Sequence, residues 1–513
     1  MGPRCLFLCL TILASFCARV NYQDFHNEKL DVSWWAIIQG ERASQKYCSA
    51  CHVVPKPQSL AQEEWEYVLA YMGLFYGISS QRRLSFDPGY LNHYQIRRQL
   101  LQYIGKLGSA GFMPQRDFSL IRNYYLAMAR VEPPRPLPLY PYTKLFRQKK
   151  LVATKAQALS LIAFHNNELY LGDAANRALE IHNLVDKSYK RIALPSPPVR
   201  LQFGSKGGYI SLIGDLLGTS PQSQQGELWF WSGDKLFPMK KGLGRIAGVY
   251  ISDIDGDSCH DALELDFGYP LRGGIWFHPS LCTGGTERLP VLTADGAVDI
   301  LPQRYNQKDG FFILRAGADE SLEFLFYEKG IWHRKTLLRF PPTMGFTRLL
   351  SADFNLDNQE DFLLIAGDNA DAGPYNPIKE EAGIYIYSLR GENLEKTFFF
   401  HYPGAFNAAI GDFNMDRRPD IAVASYYPDL RRNPPQSAIL LLNEGNYHFS
   451  AQTLVTEGRF SVVFSADINK DGASDLLLGQ VSLPLRQKVN GQIYEHPFRT
   501  TDALLYLENT YLP

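Results

Sequence analysis

The chain is 513 residues long, more than one hydrophobic core usually supports, so at least two domains are expected. Hydrophobic residues make up 45% and charged residues 20%, a balance that argues against general disorder. Lys and Arg number 52 against 53 Asp and Glu, a formal net charge of −1, so no global field recruits nucleic acid or anionic membrane and no nucleic-acid partner is expected.

Residues 1–20 read as a secretory signal peptide: the single charge of Arg4 precedes an apolar run from Cys5 to Phe16 that is too short to span a bilayer. Cleavage is placed near Cys17 or Ala18. A lipid anchor on Cys17 agrees less well with bulky Phe16 before it, and a retained anchor helix is the third reading. The expectation is export to the periplasm or beyond, with no transmembrane helix after the leader. Of the seven cysteines, Cys5, Cys9 and Cys17 belong to the leader and Cys48 and Cys51 to the next motif, leaving Cys259 and Cys282. Export permits a disulfide between these two; a pair of buried thiols is the equal alternative.

The first domain is expected over residues 41–130. Cys48-Ser-Ala-Cys51-His52 carries the spacing by which two thiols attach a haem c covalently and the histidine ligates its iron. A helix is expected from Glu41 to His52, because residues three and four apart share a helix face. A zinc or redox-dithiol role is disfavoured: no second cysteine pair lies nearby, and no alternating strand and helix pattern surrounds the motif. Met72 and Met113 compete as the distal ligand, with His93 or an open position behind them. Trp65, Tyr67, Tyr71, Phe75 and Tyr76 supply apolar walls for a planar cofactor. A helix over Asp87–Leu107 should expose Arg97 and Arg98, and one over Asp117–Ala129 should turn Phe118, Ile121, Tyr125 and Met128 to one face. Five prolines within Val131–Pro141 make residues 131–142 a stiff linker.

Residues 143–513 carry a repeat. Four acidic loops each run into an apolar strand: Asp253/Asp255/Asp257/Asp261, Asp353/Asn355/Asp357/Asp361, Asp412/Asn414/Asp416/Asp420 and Asp467/Asn469/Asp471/Asp475. Oxygen ligands at positions one, three, five and nine, with a carbonyl at seven, suit a hard cation, so up to four Ca2+ ions are expected. Degenerate copies are read at Glu168, at Gly208 and at Asp295–Asp299. Seven units then lie about 50 residues apart, the period of propeller blades. The last unit lacks its outer strand, and Thr143–Val152 is expected to supply it and close the ring. Long loops at Asp368–Glu381, Tyr426–Pro435 and Ser482–Thr501 share one position in the repeat and should lie on one face as a docking platform.

The span from Tyr47 through Met72-Gly73 to Tyr124-Tyr125 resembles the small class I cytochrome c domains fused to FG-GAP/VCBS repeats in exported bacterial proteins. The acidic loops resemble the calcium loops of those integrin-type propellers. The resemblance implies a small all-α cytochrome c domain followed by an all-β seven-bladed propeller, with one covalent haem and bound calcium. The function expected is a non-enzymatic electron carrier whose propeller docks a redox protein partner. Two alternatives stay open: an oxidoreductase whose propeller binds a substrate or quinone, and an adhesion propeller with a structural or sensory haem.

Overall fold

The computed structural model describes residues 30–78, 87–108, 112–204, 207–216, 225–232, 235–268, 273–368, 373–498 and 502–511. The leader at 1–20 lies outside them. Contacts divide the chain into two units, one comprising Met1–Ala50, Val54–Pro133 and Ala370–Pro377, the other Cys51–Val53, Pro134–Asn369 and Ile378–Pro513.

Unit one holds, among its described residues, α1 (Trp34–Cys48), α2 (Gln62–Phe75), α3 (Pro88–Tyr103) and α4 (Gln115–Met128). Ser33 caps α1 by accepting from the Ala36 amide at 3.3 Å, and Asp87 caps α3 by accepting from the Gly89 amide at 2.9 Å, with Pro88 in the first helical position. At Gly40, α1 packs directly on α4: a Cβ there would come within 2.6 Å of the Tyr124 Cβ and would also strike the Leu120 carbonyl. Only glycine allows so close an approach. The core between the helices is Trp65, Leu69, Met113, Phe118, Ile121 and Tyr125. The rings of Trp65 and Tyr125 lie 4.4 Å apart, and their polar tips donate to the carbonyls of Pro57 at 2.6 Å and Pro55 at 2.9 Å.

Three expectations for this region need correction. The helix carrying the cysteine motif ends at Cys48 rather than His52, so Cys51 and His52 sit on the turn that follows. Arg97 is buried, its guanidinium 5.3 Å from the Tyr71 ring centroid, because a long aliphatic stem with a planar head can cover an aromatic face. Met128 is exposed. Within unit two, the proline-rich segment is hydrogen-bonded: Arg431, Arg432 and the Thr453 amide donate to the carbonyls of Pro134, Leu137 and Pro141 at 2.7, 2.9 and 2.8 Å. Proline removes donors but leaves carbonyls, and the arginines take them.

Unit two is a propeller of seven four-stranded antiparallel sheets. The first strands of the blades are Leu159–His165, Pro198–Gly204, Ile246–Ser252, Ala297–Tyr305, Phe346–Ala352, Ala405–Gly411 and Phe460–Ala466. They neighbour one another in a closed ring around the axis. Three of the four second strands that follow the acidic loops, Asp261–Asp266, Asp361–Ala366 and Asp420–Ser425, are buried at every residue, and Asp475–Gln480 at all but its last. Sandwiching between neighbouring blades explains why they read as continuous apolar runs rather than alternating ones. Phe312 of blade four and Phe362 of blade five meet at 4.4 Å between ring centroids.

Blade seven is completed as expected. Phe146–Lys149 pairs antiparallel with Leu504–Asn509, so the two ends of the propeller chain share one sheet and leave no open edge there. Blade four departs from expectation. Asp295–Asp299 is not a degenerate acidic loop before a second strand; Asp299 lies in the blade's first strand, and the second is Lys308–Arg315. The turn between them is Asn306-Gln307, with φ of 47° and 63°, a two-residue left-handed turn that suits the twist of a hairpin.

Candidate metal centres

α1 delivers Cys48 at its last residue, partly exposed, and the turn delivers Cys51, exposed, and His52, half-buried. Neither cysteine is in a disulfide. His52 Nδ1 lies 2.9 Å from the Val53 carbonyl. A carbonyl only accepts, so Nδ1 carries the proton and Nε2 keeps its lone pair for a metal, the arrangement that fixes ligand histidines. Burial lowers the His52 pKa, which favours the neutral, ligating ring. These donors match what a covalently attached haem requires: two thiols and one oriented imidazole. Met113 is buried in the apolar cluster that includes Ala43 of α1, Trp65 and Phe118, whereas Met72 is half-buried on α2. His93 Nδ1 lies 2.6 Å from the Tyr67 hydroxyl.

The acidic loops share one backbone. Positions four and six are left-handed in all of them: Gly256 and Ser258, Leu356 and Asn358, Met415 and Arg417, Lys470 and Gly472, with φ between 56° and 92°. For non-glycine residues this conformation costs about 1 kcal/mol or more each, and it persists only where the surroundings impose it. The imposition is visible. The first aspartate, Asp253, Asp353, Asp412 or Asp467, accepts from the position-six amide at 3.0, 2.7, 2.7 and 3.0 Å. Asp257, Asp357, Asp416 and Asp471 accept from the position-seven amide at 2.7 to 2.9 Å. The last aspartates, Asp261, Asp361, Asp420 and Asp475, are buried at the start of the second strands and accept from the position-two amide at 2.7 to 3.2 Å. Asn355, Asn414 and Asn469 each donate to the position-five aspartate at 2.7 to 2.9 Å.

Bare carboxylates held this closely are under strain. Burial, then the like charges of Asp416 and Asp412, push Asp420 up to about 6, and burial raises Asp255, Asp361 and Asp475 as well. In the first loop, oxygens of Asp253, Asp255 and Asp261 lie within 4.8 Å of one another. Oxygens around one Ca2+ at 2.3–2.6 Å can be no more than roughly 5 Å apart, so this spacing matches a shared calcium ion. Asp257 is turned aside and accepts from the Ser280 hydroxyl at 2.9 Å. At position seven of the same loop, Cys259 is disulfide-bonded to Cys282, which ties the loop to the segment after the third strand.

Among the described residues of unit two, three histidines have separate partners: His278 Nε2 meets Glu264 at 2.8 Å, His182 Nε2 meets Glu180 at 3.1 Å, and His401 Nε2 meets the Lys379 carbonyl at 3.1 Å. Sequence reading passed over the first of these groups, in which buried Glu264 also binds Arg288 at 2.8 and 2.9 Å. Two of the long loops do come together. Tyr427, Leu430, Leu485 and Phe498 form one apolar cluster, and the Leu430 amide donates to Gln487 at 2.8 Å. The third divides between the units: residues 369–372 lie outside those described, and Tyr375, in unit one, donates to Asp87 at 2.8 Å. Among the described residues, no helix is long and apolar enough to cross a membrane.

No protein-family model matches the chain, and no curated protein matches it. Among solved structures it is similar to the Dos1 propeller, at 10% identity over 72% of this chain and 81% of that one, with a TM-score of 0.39. It is similar also to the N-terminal domain of Nup159, at 10% identity over 73% and 98% with a TM-score of 0.40, and to the hydrazine synthase of Kuenenia stuttgartiensis, at 10% over 69% and 98% with a TM-score of 0.42.

Proposed function

We propose that the chain is an exported electron carrier of the cytochrome c kind, with one covalent haem on the Cys48–His52 motif and a calcium-bound propeller that docks a redox protein partner. The observation that carries this reading is His52, whose Nδ1 is committed to the Val53 carbonyl at 2.9 Å beside two thiols outside any disulfide. Haem, when bound, supplies a one-electron couple whose potential depends on axial ligand and burial. Cys48 and Cys51 would hold the ring by thioethers and His52 would ligate iron through Nε2. Of the distal candidates, Met113 is favoured over Met72 because it is buried in the cluster that reaches α1. Asp253, Asp353, Asp412, Asp467 and their loop partners would hold up to four Ca2+.

Expression in a host with a cytochrome c maturation system should yield protein that stays coloured in denaturing gels, and Cys48→Ser with Cys51→Ser should abolish the colour. Colour surviving in the double variant would refute covalent attachment. Met113→Ala should lose the weak sulfur-to-iron band at the red end of the oxidised spectrum while Met72→Ala keeps it; the reverse would assign Met72. A quinone released on denaturation would favour the oxidoreductase alternative. Haem that no protein partner reduces or oxidises would favour the adhesion alternative.

A further inference from the structure

The ninth aspartate of each acidic loop takes a second donor on Oδ1, and the source of that donor differs between blades. In blades six and seven it is an amide of the regular third strand: Asn443 donates to Asp420 at 2.8 Å and Asn509 to Asp475 at 2.7 Å. In blade five it is the Tyr447 hydroxyl, 3.0 Å from Asp361. In blade three the third strand stops at His278, and the donor is the amide of Ser280, 2.8 Å from Asp261. Ser280 stands outside the strands at φ of 52°, a left-handed position that a residue other than glycine keeps only where its surroundings impose it.

Ser280 also replaces a side chain that this loop lacks. In blades five, six and seven, the position-three asparagine donates to Oδ2 of the position-five aspartate. Blade three has Asp255 at that position, and an ionised carboxylate only accepts. The Ser280 hydroxyl takes over, donating to the same oxygen of Asp257 at 2.9 Å. One residue thus supports both Asp257 and Asp261, in the loop that gathers four carboxylates where the others gather three. What fixes Ser280 lies next to it. The Leu281 amide donates to the His260 carbonyl at 2.7 Å, and Cys282 is bonded to Cys259 at position seven of the loop. Cys259 is buried and Cys282 is exposed, so a thiolate from solvent can reach the disulfide from the Cys282 side.

We infer that the Cys259–Cys282 disulfide is a redox control on calcium binding in blade three: oxidised, it holds Ser280 against Asp257 and Asp261; reduced, it frees that segment and weakens that site alone. The inference rests on the calcium reading of the acidic loops and adds its regulation. Reduction takes a dithiol as co-reactant. One of its thiolates attacks the Cys282 sulfur and Cys259 leaves as a thiolate; its second thiolate then displaces Cys282 and closes the reductant's own disulfide. Two electrons pass to the protein, and two protons end on the cysteine sulfurs. Blades five, six and seven carry no cysteine and should not respond.

The test is calorimetric calcium titration of the exported protein, first with the disulfide intact and then after anaerobic reduction by dithiothreitol. One site should weaken at least tenfold on reduction while the remaining sites keep their affinity. Coupling between two equilibria is reciprocal, so saturating calcium should disfavour reduction of the Cys259/Cys282 pair by the same factor, and tenfold is a shift of about 30 mV. Thiol trapping in glutathione buffers, with and without chelator, reads that shift. Ser280→Ala should weaken the same site with the disulfide intact, and Cys259→Ser with Cys282→Ser should make calcium binding indifferent to reductant. The glutathione measurement uses the native chain and stands even if a variant fails to fold. Affinities unchanged by reduction, equal weakening at every site, or a thiol–disulfide equilibrium independent of calcium would each overturn the control while leaving the calcium reading in place. Absence of calcium binding by the oxidised protein would overturn both.

Discussion

Blades one and four join their first two strands by two residues, whereas blades three, five, six and seven spend a nine-residue acidic loop on the same connection. In the short turns, Asn166 and Asn167 at φ of 50° and 64°, and Asn306 and Gln307 at 47° and 63°, match the strand twist without help. Since the ninth residue of each acidic loop already opens the second strand, the loops order six more connecting residues, at roughly 1–2 kcal/mol of backbone entropy each. They also bring three or four carboxylate or amide oxygens together and place leucine, methionine, arginine and lysine at positive φ. The calcium proposed for these loops would offset this cost in four blades of seven.

Chelation therefore tests the comparison most severely. Binding to the native state adds RT ln(1 + [L]/Kd), about 2.7 kcal/mol per loop at a hundredfold excess over Kd. Melting of the propeller, followed by far-ultraviolet dichroism, should drop by many degrees on calcium removal. Asp412→Ala with Asp416→Ala should remove about a quarter of that response. A melting curve unchanged by chelator, on protein shown to be metal-free, would remove the distinction between the two kinds of blade.

Blade three adds a second tether to its acidic loop, the Cys259–Cys282 disulfide across a sequence separation of 23. Replacing both cysteines by serine should cost about 2–4 kcal/mol through loop-closure entropy alone. If the tether also holds position seven for the ion, calcium titration should show one site weakened and the others unchanged. Equal affinities at all sites would confine the disulfide to stability.

Much of this contrast was legible in the sequence, and the reasons are local. The four loops and the Cys48–His52 motif are spacings within nine residues or fewer, and the apolar runs behind the loops announce strands buried on both faces. In blade four Asp295 and Asp299 imitate the acidic spacing one strand early, while the turn pair Asn306-Gln307 carries the signal for the real connection. The motif helix stops at Cys48, one turn before the spacing of Cys48, Cys51 and His52 suggests, because side-chain spacing does not report where backbone hydrogen bonding stops. Gly40 and Gly248 are invisible in the sequence as close-approach positions, since what a Cβ there would strike lies 80 residues away on α4 or on Arg200 of the neighbouring blade. The bond from Arg200 of blade two to Asp299 of blade four, 2.6 Å, is out of reach for the same reason: the two residues are 99 apart in the chain and meet only in the fold.

Acid and base separate the two classes further. Glu320 of blade four is buried, accepting from the Gly345 amide at 3.0 Å, and burial holds its carboxyl well above the usual range despite Lys379 nearby. Its folded pKa exceeds its unfolded value, so the native state binds more protons above pH ~4.5, and this contribution to stability declines as pH rises. Glu320→Gln should flatten that decline in neutral to mildly alkaline buffer, and should do so equally with and without calcium. Loss of the effect in chelator would mean that blade four is coupled to the ions after all.

The smallest effect should come from the short turns themselves. Asn167 stands at φ of 64°, a region that asparagine tolerates better than alanine. Asn167→Ala should cost about 1 kcal/mol, and Asn167→Gly should be near neutral, because glycine enters the left-handed region without a Cβ penalty but loses more entropy on folding. Leu356, at φ of 60° in the acidic loop of blade five, reverses the pattern. Leu356→Gly relieves a strained residue that the ligand is expected to hold in place, so it should stabilise the loop most in chelator and less in saturating calcium. Melting temperatures of both glycine variants under both conditions complete the test. A calcium-dependent Asn167→Gly with a calcium-independent Leu356→Gly would invert the comparison, since it would place the ligand's influence on the turns that need none.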